Sequence, residues 1–278
     1  MGNSIKFGVE SALKKADKYC VLTSSTASSV ELRGRSEMAA PAYFMGPLPR
    51  AYVFIDGFNL FYRCLSRSSR KWLNIQSLFE QMLPFYEIKR VKYFTAMIRS
   101  RGDPAKSLRQ ETYLRALRTL PKVEIYQGLF SNHKVCRELA KSSLLKRIKR
   151  KFGIKVPTMN KCVWVFDPKE KASDVNLAVH MVNDAWKNLY DVAVVVSNDS
   201  DLIEALKIVR GDCKKQIFLI SPDKNVNPEM RKHADFVREL RISHLAQAQL
   251  PNHIPFTSIS KPELWNCRDF KTGNSSVS

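Results

Sequence analysis

Three segments of the chain place aspartates where carboxylates can do chemistry. They are FIDGFN with Asp56, KASDVN with Asp174, and VVVSNDSDL with Asp199 and Asp201. The first and third follow the apolar runs AYVFI and DVAVVV, which are typical of buried parallel strands. Functional crevices of α/β proteins open at the carboxyl ends of such strands. The pattern therefore predicts that several carboxylates meet at one edge of a sheet.

A group of carboxylates needs positive compensation. Two of them held about 4 Å apart repel by roughly 4 kcal/mol at an effective dielectric near 20. A bound cation offsets this repulsion, and oxygen-only ligands favour Mg²⁺ or Mn²⁺. Helix capping is the competing explanation, because Asp174 begins the helix DVNLAVHMVNDAW and Ser197 or Asp199 precedes the helix DLIEALKIV. Capping leaves Asp56 and Asp201 unexplained, so we favour a metal site.

The net charge indicates a polyanionic partner. The chain has 46 Lys and Arg against 26 Asp and Glu, a formal charge of +20 over 278 residues. A surface this basic attracts a phosphate backbone through counterion release. General solubility and a basic membrane contact also fit the charge alone. Together with the acidic site, it favours RNA or another nucleic acid.

Location and redox state follow from what the sequence lacks. No run approaches 18 apolar residues, and the N-terminus has no signal-peptide core. We therefore expect a cytoplasmic protein without a membrane partner. The six cysteines form no CxxC pair, which argues against a zinc ribbon or a disulfide framework and predicts free thiols.

Two basic elements are candidates for phosphate contacts. The first is a helix after Asp103, with Pro104 at its first position and a buried leucine stripe on the other face. The second is KSSLLKRIKRKFG, a basic amphipathic pattern close to KASDVN. A solvated charged face is the alternative for both. The candidate nucleic-acid contacts in these elements are Lys106, Arg109, Lys146, Arg147, Lys149, Arg150 and Lys151.

The elements that position these residues alternate along the chain. Strand patterns near 51–55, 91–98, 123–129, 162–166, 192–197 and 216–220 are separated by helical patterns. This alternation predicts an α/β fold with a mostly parallel sheet. We expect a disordered leader at 1–49, one domain at 50–245 with a basic insertion at 131–161, and a partly disordered extension at 246–278.

The residues resemble the NYN family, a branch of the PIN-like metal-dependent ribonucleases, over most of 50–266. Several motifs look like a bacterial subgroup of the family. They are FIDGFN, YFTA at 93–96, RQETYLRAL at 109–117, KASDVNLAVHMVNDAW at 171–186, VVVSNDSDL at 194–202 and ISKPELW at 259–265. The resemblance implies a Rossmann-like, three-layer fold with an acidic pocket that binds magnesium or manganese and hydrolyses RNA.

Carried over residue by residue, the resemblance assigns the site. The family's acidic positions fall on Asp56, Asp174, Asp199 and Asp201, with Asn59 as a polar partner after the first strand. Ala172 and Asn198 stand where the family usually has glycine, and neither change removes a ligand. His180 stands where many relatives carry an acid. We favour a structural pairing of His180 with Asn176 or Asp184 over catalysis.

The leading hypothesis is a metal-dependent ribonuclease. The metal would polarise the scissile phosphate and lower the pKa of a bound water, with Asp201 or Asp174 assisting deprotonation. Lys171 is either a cation for the transition-state phosphate or a surface lysine. The alternative is an RNA-binding or scaffold protein with an inactive acidic pocket. No GxGxxG, P-loop, GxSxG or HExxH motif supports another enzyme class. A sheet edge is compatible with a homo-oligomer, but nothing fixes one.

Overall fold

One twisted sheet organises the chain. The structure is a computed structural model that describes residues 47–98, 104–138 and 162–265. Its strands are β1 (Arg50–Asp56), β2 (Glu87–Ala96), β3 (Val123–Glu138), β4 (Cys162–Lys171), β5 (Val192–Val196), β6 (Gln216–Ser221) and β7 (Phe236–Glu239). The strand order in this part of the chain is β4-β3-β2-β1-β5-β6-β7. The central position of β1 and β5 places two of the aspartate segments side by side.

Helices connect the strands and cover both faces of the sheet. They are α1 (Gly57–Leu60), α2 (Ile75–Met82), α3 (Pro104–Leu117), α4 (Ser173–Trp186), α5 (Ile203–Gly211), α6 (Pro228–Lys232) and α7 (Ile242–Gln247). A π-helical segment, Phe61–Leu65, continues α1, and short 3₁₀ turns lie at Ser200–Leu202 and Glu263–Trp265. The α3 helix begins at Pro104 as predicted, with Leu114 and Leu117 buried.

The pairing confirms the predicted α/β fold with a mostly parallel sheet. Strands β3, β2, β1, β5, β6 and β7 pair in parallel with their neighbours. Among the strands of the described residues, the antiparallel pair is the one that the second half of β3 forms with β4. Both strands are longer than the sequence predicted, because each supplies the other's hydrogen-bond partners beyond the end of β2. The basic insertion predicted at 131–161 thus begins inside β3, and residues 139–161 lie outside the described residues, as do 1–46 and 266–278.

Successive side chains along the strands face opposite sides of the sheet and pack into two hydrophobic cores. Val194 of β5 packs in one layer, whereas its neighbour Val195 packs in the other. The first layer holds α2, α3 and residues after α7, and the second holds α4 and α5. Because successive strand side chains point to opposite faces, a sheet covered on both sides needs continuous apolar strands. This explains the uninterrupted runs that the sequence shows.

The end of the described chain packs beside α3. The ring of Trp265 lies 6.0 Å from that of Trp72 and 5.9 Å from that of Tyr113. The indole N–H of Trp72 donates to the carbonyl of Pro251 at 2.8 Å. The segment that contains ISKPELW therefore packs against Trp72 and against Tyr113 of α3.

Two further expectations are tested by the described residues. Cys64 and Cys213 are free, whereas Cys136 in β3 is disulfide-bonded, so the prediction of free thiols is wrong at that position. None of the helices in the described ranges has the length and apolar character needed to span a membrane.

Candidate active site

Asp56 is the last residue of β1 and lies at the carboxyl end of this central strand. Its side chain is 4% exposed and accepts a hydrogen bond from the backbone N–H of Asn59 at 2.9 Å, which caps α1. A Cβ at Gly57 would lie 2.7 Å from both the carbonyl oxygen of Phe94 and the ring of Tyr93. Only glycine permits this close approach of α1 to β2. The glycine after Asp56 is thus required by the way α1 approaches β2.

Ser197 joins the ends of β1 and β5. Its buried hydroxyl donates to Oδ2 of Asp56 at 3.0 Å and accepts from the backbone N–H of Asp199 at 3.1 Å. The amide oxygen of Asn59 also accepts from the backbone N–H of Asn198, at 3.3 Å. These bonds tie the carboxylate of Asp56 to the backbone of the turn that carries Asp199. Sequence reasoning considered Ser197 only as a helix cap, and its position between the strand VVV and Asp199 was the signal for this bridging role.

Asn198 anchors the same turn to the loop after β6. Its side-chain amide donates to the carbonyl of Asn225 at 2.8 Å and accepts from the backbone N–H of Asn227 at 2.6 Å. A glycine here would leave both backbone groups without this partner. The departure from the family's usual glycine therefore has a structural reason, because the side chain of Asn198 satisfies two backbone groups of a neighbouring loop.

Asp174 enters from α4, on the other side of β1. The residue before the helix, Ala172, has a φ of 79°. This left-handed conformation costs a residue with a Cβ about 1–2 kcal/mol, which explains why glycine is usual at this position in the family that the sequence resembles. The helix α4 begins directly after Ala172, and Asp174 lies in its first turn, where the helix dipole also favours a carboxylate.

Three of the predicted ligands converge. One carboxylate oxygen from each of Asp56, Asp174 and Asp199 lies within 4.8 Å of the others. At that separation each pair repels by about 3.5 kcal/mol at an effective dielectric near 20. Two oxygens bound to one Mg²⁺ at about 2.1 Å are at most about 4.2 Å apart. The oxygen-only donor set and its spacing therefore fit Mg²⁺ or Mn²⁺ after small side-chain rotations.

Asp201 lies outside this group of three. It is exposed, and its backbone N–H donates to Oδ1 of Asp199 at 3.1 Å, so that Asp199 caps the 3₁₀ turn while belonging to the acidic group. The assignment of Asp201 as a ligand stays a prediction.

The predicted nucleic-acid contacts are only partly described. Lys106 and Arg109 line a cavity that is also lined by Gly57, the residue after Asp56. The basic residues Lys146, Arg147, Lys149, Arg150 and Lys151 lie outside the described residues, as does the side chain of Lys171. The roles of all these cations stay predictions.

His180, on α4, packs against aromatic residues of the sheet. Its ring lies 4.1 Å from that of Tyr126 and 5.7 Å from that of Phe94. Burial, and then the charge of Lys92, lower the pKa of His180. Asp184, which the sequence offered as a partner of His180, instead forms a buried ion pair with Lys92 at 2.6 Å. These contacts agree with the preference for a structural role of His180, with aromatic rings as its observed neighbours.

Comparisons with known proteins add a family to this geometry. Residues 50–241 match the profile of the NYN domain. The chain is 31% identical over 244 residues, covering 78% of this chain and 75% of the relative, to 6-hydroxy-3-succinoylpyridine 3-monooxygenase HspA of Pseudomonas putida. Among solved structures, a protein of unknown function from Vibrio parahaemolyticus is similar at 14% identity and a TM-score of 0.43, over 70% of this chain and 94% of that one.

Proposed function

We propose that this chain, which belongs to the NYN domain family, is a metal-dependent ribonuclease that hydrolyses RNA phosphodiester bonds. The observation that carries the proposal is the convergence of Asp56, Asp174 and Asp199 within 4.8 Å at the carboxyl edge of a parallel sheet. The net charge of +20 supports a polyanionic substrate. An acidic group that can hold a metal, inside a basic protein, suits metal-assisted hydrolysis of a phosphate backbone.

The residues divide the work by position. A bound Mg²⁺ or Mn²⁺ would polarise the scissile phosphate and lower the pKa of the attacking water. Ser197 and the backbone N–H of Asn59 hold Asp56 in place from two directions. Asp201, exposed two residues after Asp199, is the proposed acceptor of the proton from that water, with Asp174 as the alternative. Lys171, which ends β4 just before the turn into α4, is proposed to face the phosphate.

Substrate binding is assigned to the basic residues. Lys106 and Arg109 line the cavity next to Asp56 and would hold the chain of phosphates close to the acidic group. The predicted basic segment at 146–151 would extend that contact. Binding through these cations should weaken steeply as salt is raised, because counterions compete for the same phosphates.

The test is cleavage of a labelled single-stranded RNA. We expect cleavage by the wild type with Mn²⁺ or Mg²⁺, none with EDTA, and none with the Asp174→Asn, Asp199→Asn double variant. Asp212→Asn, an exposed aspartate at the end of α5, is the matched control and should cleave normally. Asp201→Asn tests the assignment of the base and should lower the rate without abolishing metal binding.

The competing function is RNA binding without hydrolysis, as a scaffold. It predicts RNA affinity that falls with salt but no dependence on metal or on the aspartates. If the wild type and the double variant bind equally and neither cleaves structured or unstructured RNA in either metal, the nuclease proposal is wrong and the binding function remains.

A second enzymatic candidate comes from the relative named as a monooxygenase. Oxygen insertion into a heteroaromatic acid consumes O₂ and two electrons from a donor such as NADH, and it yields the hydroxylated ring and water. The test is oxidation of NADH in air, with and without a hydroxypyridine carboxylic acid. Substrate-dependent NADH consumption with formation of a hydroxylated product would favour this candidate over hydrolysis of RNA.

A further inference from the structure

A cavity of about 260 Å³ lies at the start of α1, where Gly57 and Phe58 line it. Its walls come from the start of α1, the π-helical segment, β2, α3 and the end of the described chain. Small-molecule sites usually measure about 300–1,000 Å³, so this cavity suits one ring system rather than a large ligand. Because Gly57 lines it and Asp56 precedes Gly57, the cavity and the acidic group share one edge of the sheet.

Aromatic side chains form much of the wall. Phe58, Phe61, Tyr93, Tyr113 and Trp265 all line the cavity. Tyr113 is fixed by a hydrogen bond from its hydroxyl to the carbonyl of Leu73 at 2.9 Å, and Trp265 packs edge-on against it. Rings held by their neighbours lose little conformational entropy on binding, so such a wall favours a flat aromatic ligand.

Polar groups at the cavity indicate what the ring carries. Lys71, Lys106 and Arg109 line it together with Gln110. The amide of Gln110 is oriented by two bonds, to the carbonyl of Ala96 at 2.9 Å and from the backbone N–H of Ile98 at 2.8 Å. Three cations around an apolar space favour a ring with an attached anion. A nucleotide, with its base and phosphate, has this chemistry.

We propose that the cavity binds the base of one nucleotide that flanks the scissile bond, and so selects single-stranded RNA. This inference rests on the proposed ribonuclease function. A base inside a duplex is stacked and paired, so only an unpaired base can enter a cavity lined by Phe58 and Trp265. Its phosphate would then reach the cations and the adjacent acidic group. Base stacking on aromatic side chains is sequence-tolerant, which predicts a broad choice of bases.

Abasic substitution tests the proposal. Two single-stranded RNAs are compared with the all-base RNA, each with one abasic nucleotide, 5′ or 3′ of a mapped cleavage site. Loss of a stacked base should slow cleavage at that bond about 10-fold at one of the two positions. If neither abasic RNA slows cleavage while the wild type still cuts the parent RNA with metal, the cavity does not bind a base, and the nuclease function stands.

The variants locate the effect in the cavity. Phe58→Ala and Trp265→Ala should each cut the parent RNA several-fold more slowly, and neither should discriminate against the abasic RNA. Arg109→Ala should weaken RNA binding more than Arg115→Ala, an exposed arginine on the same helix that does not line the cavity. Thermal unfolding identifies variants that fail to fold. Abasic discrimination that persists undiminished in both folded aromatic variants would place the base elsewhere and overturn the proposal.

A binding assay in EDTA separates the two proposals. The fluorescence of the wild type, monitored at its tryptophans, should change as a nucleoside monophosphate is added, and Phe58→Ala should weaken this binding. Binding without cleavage of any RNA would mean that the nuclease proposal fails while the cavity still takes a nucleotide. Binding of a pyridine carboxylic acid with no response to nucleotides would overturn the assignment of the base.

Discussion

Replacing Ser197 by alanine tests how the acidic group is held. The substitution removes the donor to Asp56 and the acceptor for the backbone N–H of Asp199. Hydrogen bonds to a charged group contribute about 1.5–3 kcal/mol. We therefore expect the free energy of unfolding of the variant to be about 2 kcal/mol lower than that of the wild type. Groups that orient metal ligands typically contribute 10–100-fold to affinity. The affinity for Mn²⁺ should therefore fall by about 10-fold or more.

The stability assay makes this expectation quantitative. At a Mn²⁺ concentration 100 times the dissociation constant, the wild type gains about 2.7 kcal/mol of unfolding free energy. With affinity 10- to 100-fold lower, the same concentration stabilises Ser197→Ala by only about 0.4–1.4 kcal/mol. Urea unfolding with and without Mn²⁺ measures both values. The difference between them reports metal binding, independently of the general loss of stability.

Ser221 provides the matched control. It is equally buried at the end of the neighbouring strand β6, and its hydroxyl bonds only to the backbone of Asp223 among the bonds described. Ser221→Ala removes only bonds to neutral backbone groups, so it should lose about 1 kcal/mol of unfolding free energy and keep the full Mn²⁺ response. The reasoning is refuted if Ser197→Ala keeps the wild-type affinity, or if Ser221→Ala loses as much affinity for the metal.

Three further predictions concern the surroundings of the site. Lys92→Met should destabilise the protein by about 3–5 kcal/mol in urea unfolding, because it leaves the buried carboxylate of Asp184 unpaired, and adding Asp184→Leu should recover most of the loss. Ala172→Gly should raise the unfolding free energy by up to about 1 kcal/mol through relief of the left-handed conformation, whereas Ala178→Gly inside α4 should lower it by about 0.5–1 kcal/mol. The pKa of His180 is lower in the folded state than in the unfolded state, so the unfolded state binds more protons once the pH falls to about 6.5 and below. The free energy of unfolding should therefore decrease as the pH is lowered from about 7.5 to about 5.5, and it should decrease less in His180→Phe.

The fold followed from sequence patterns that a buried parallel sheet imposes. Short continuous apolar runs such as those of β1 and β5, alternating with helical patterns, are typical of strands buried on both faces, and Pro104 marked the start of α3. The lengths of β3 and β4 could not be read, because an antiparallel pair at a sheet edge depends on a partner distant in sequence. Periodicity reports which face is buried, but not which strand lies alongside.

The convergence of three aspartates could be predicted from the sequence, whereas their surroundings could not. Asp56, Asp174 and Asp199 each stood at the end of a strand or the start of a helix, and topology brings such positions together. The cavity beside them was not predicted, since Phe58, Tyr113 and Trp265 are far apart in sequence and each has the ordinary composition of a core. An aromatic residue that lines a cavity and one that packs in a hydrophobic core stand in the same kind of local sequence pattern. Only the packing of the segment after β7 distinguishes them.

Capping and metal binding were weighed as competing explanations of the aspartates, but the structure combines them. Asp56 caps α1 and Asp199 caps the 3₁₀ turn, while each offers a carboxylate oxygen to the same group. Repulsion of about 3.5 kcal/mol per pair would drive mobile side chains apart. Hydrogen bonds from Ser197 and from two backbone N–H groups oppose that movement. The caps therefore help to hold like charges close together, which preorganises the group of carboxylates that a divalent cation would complete.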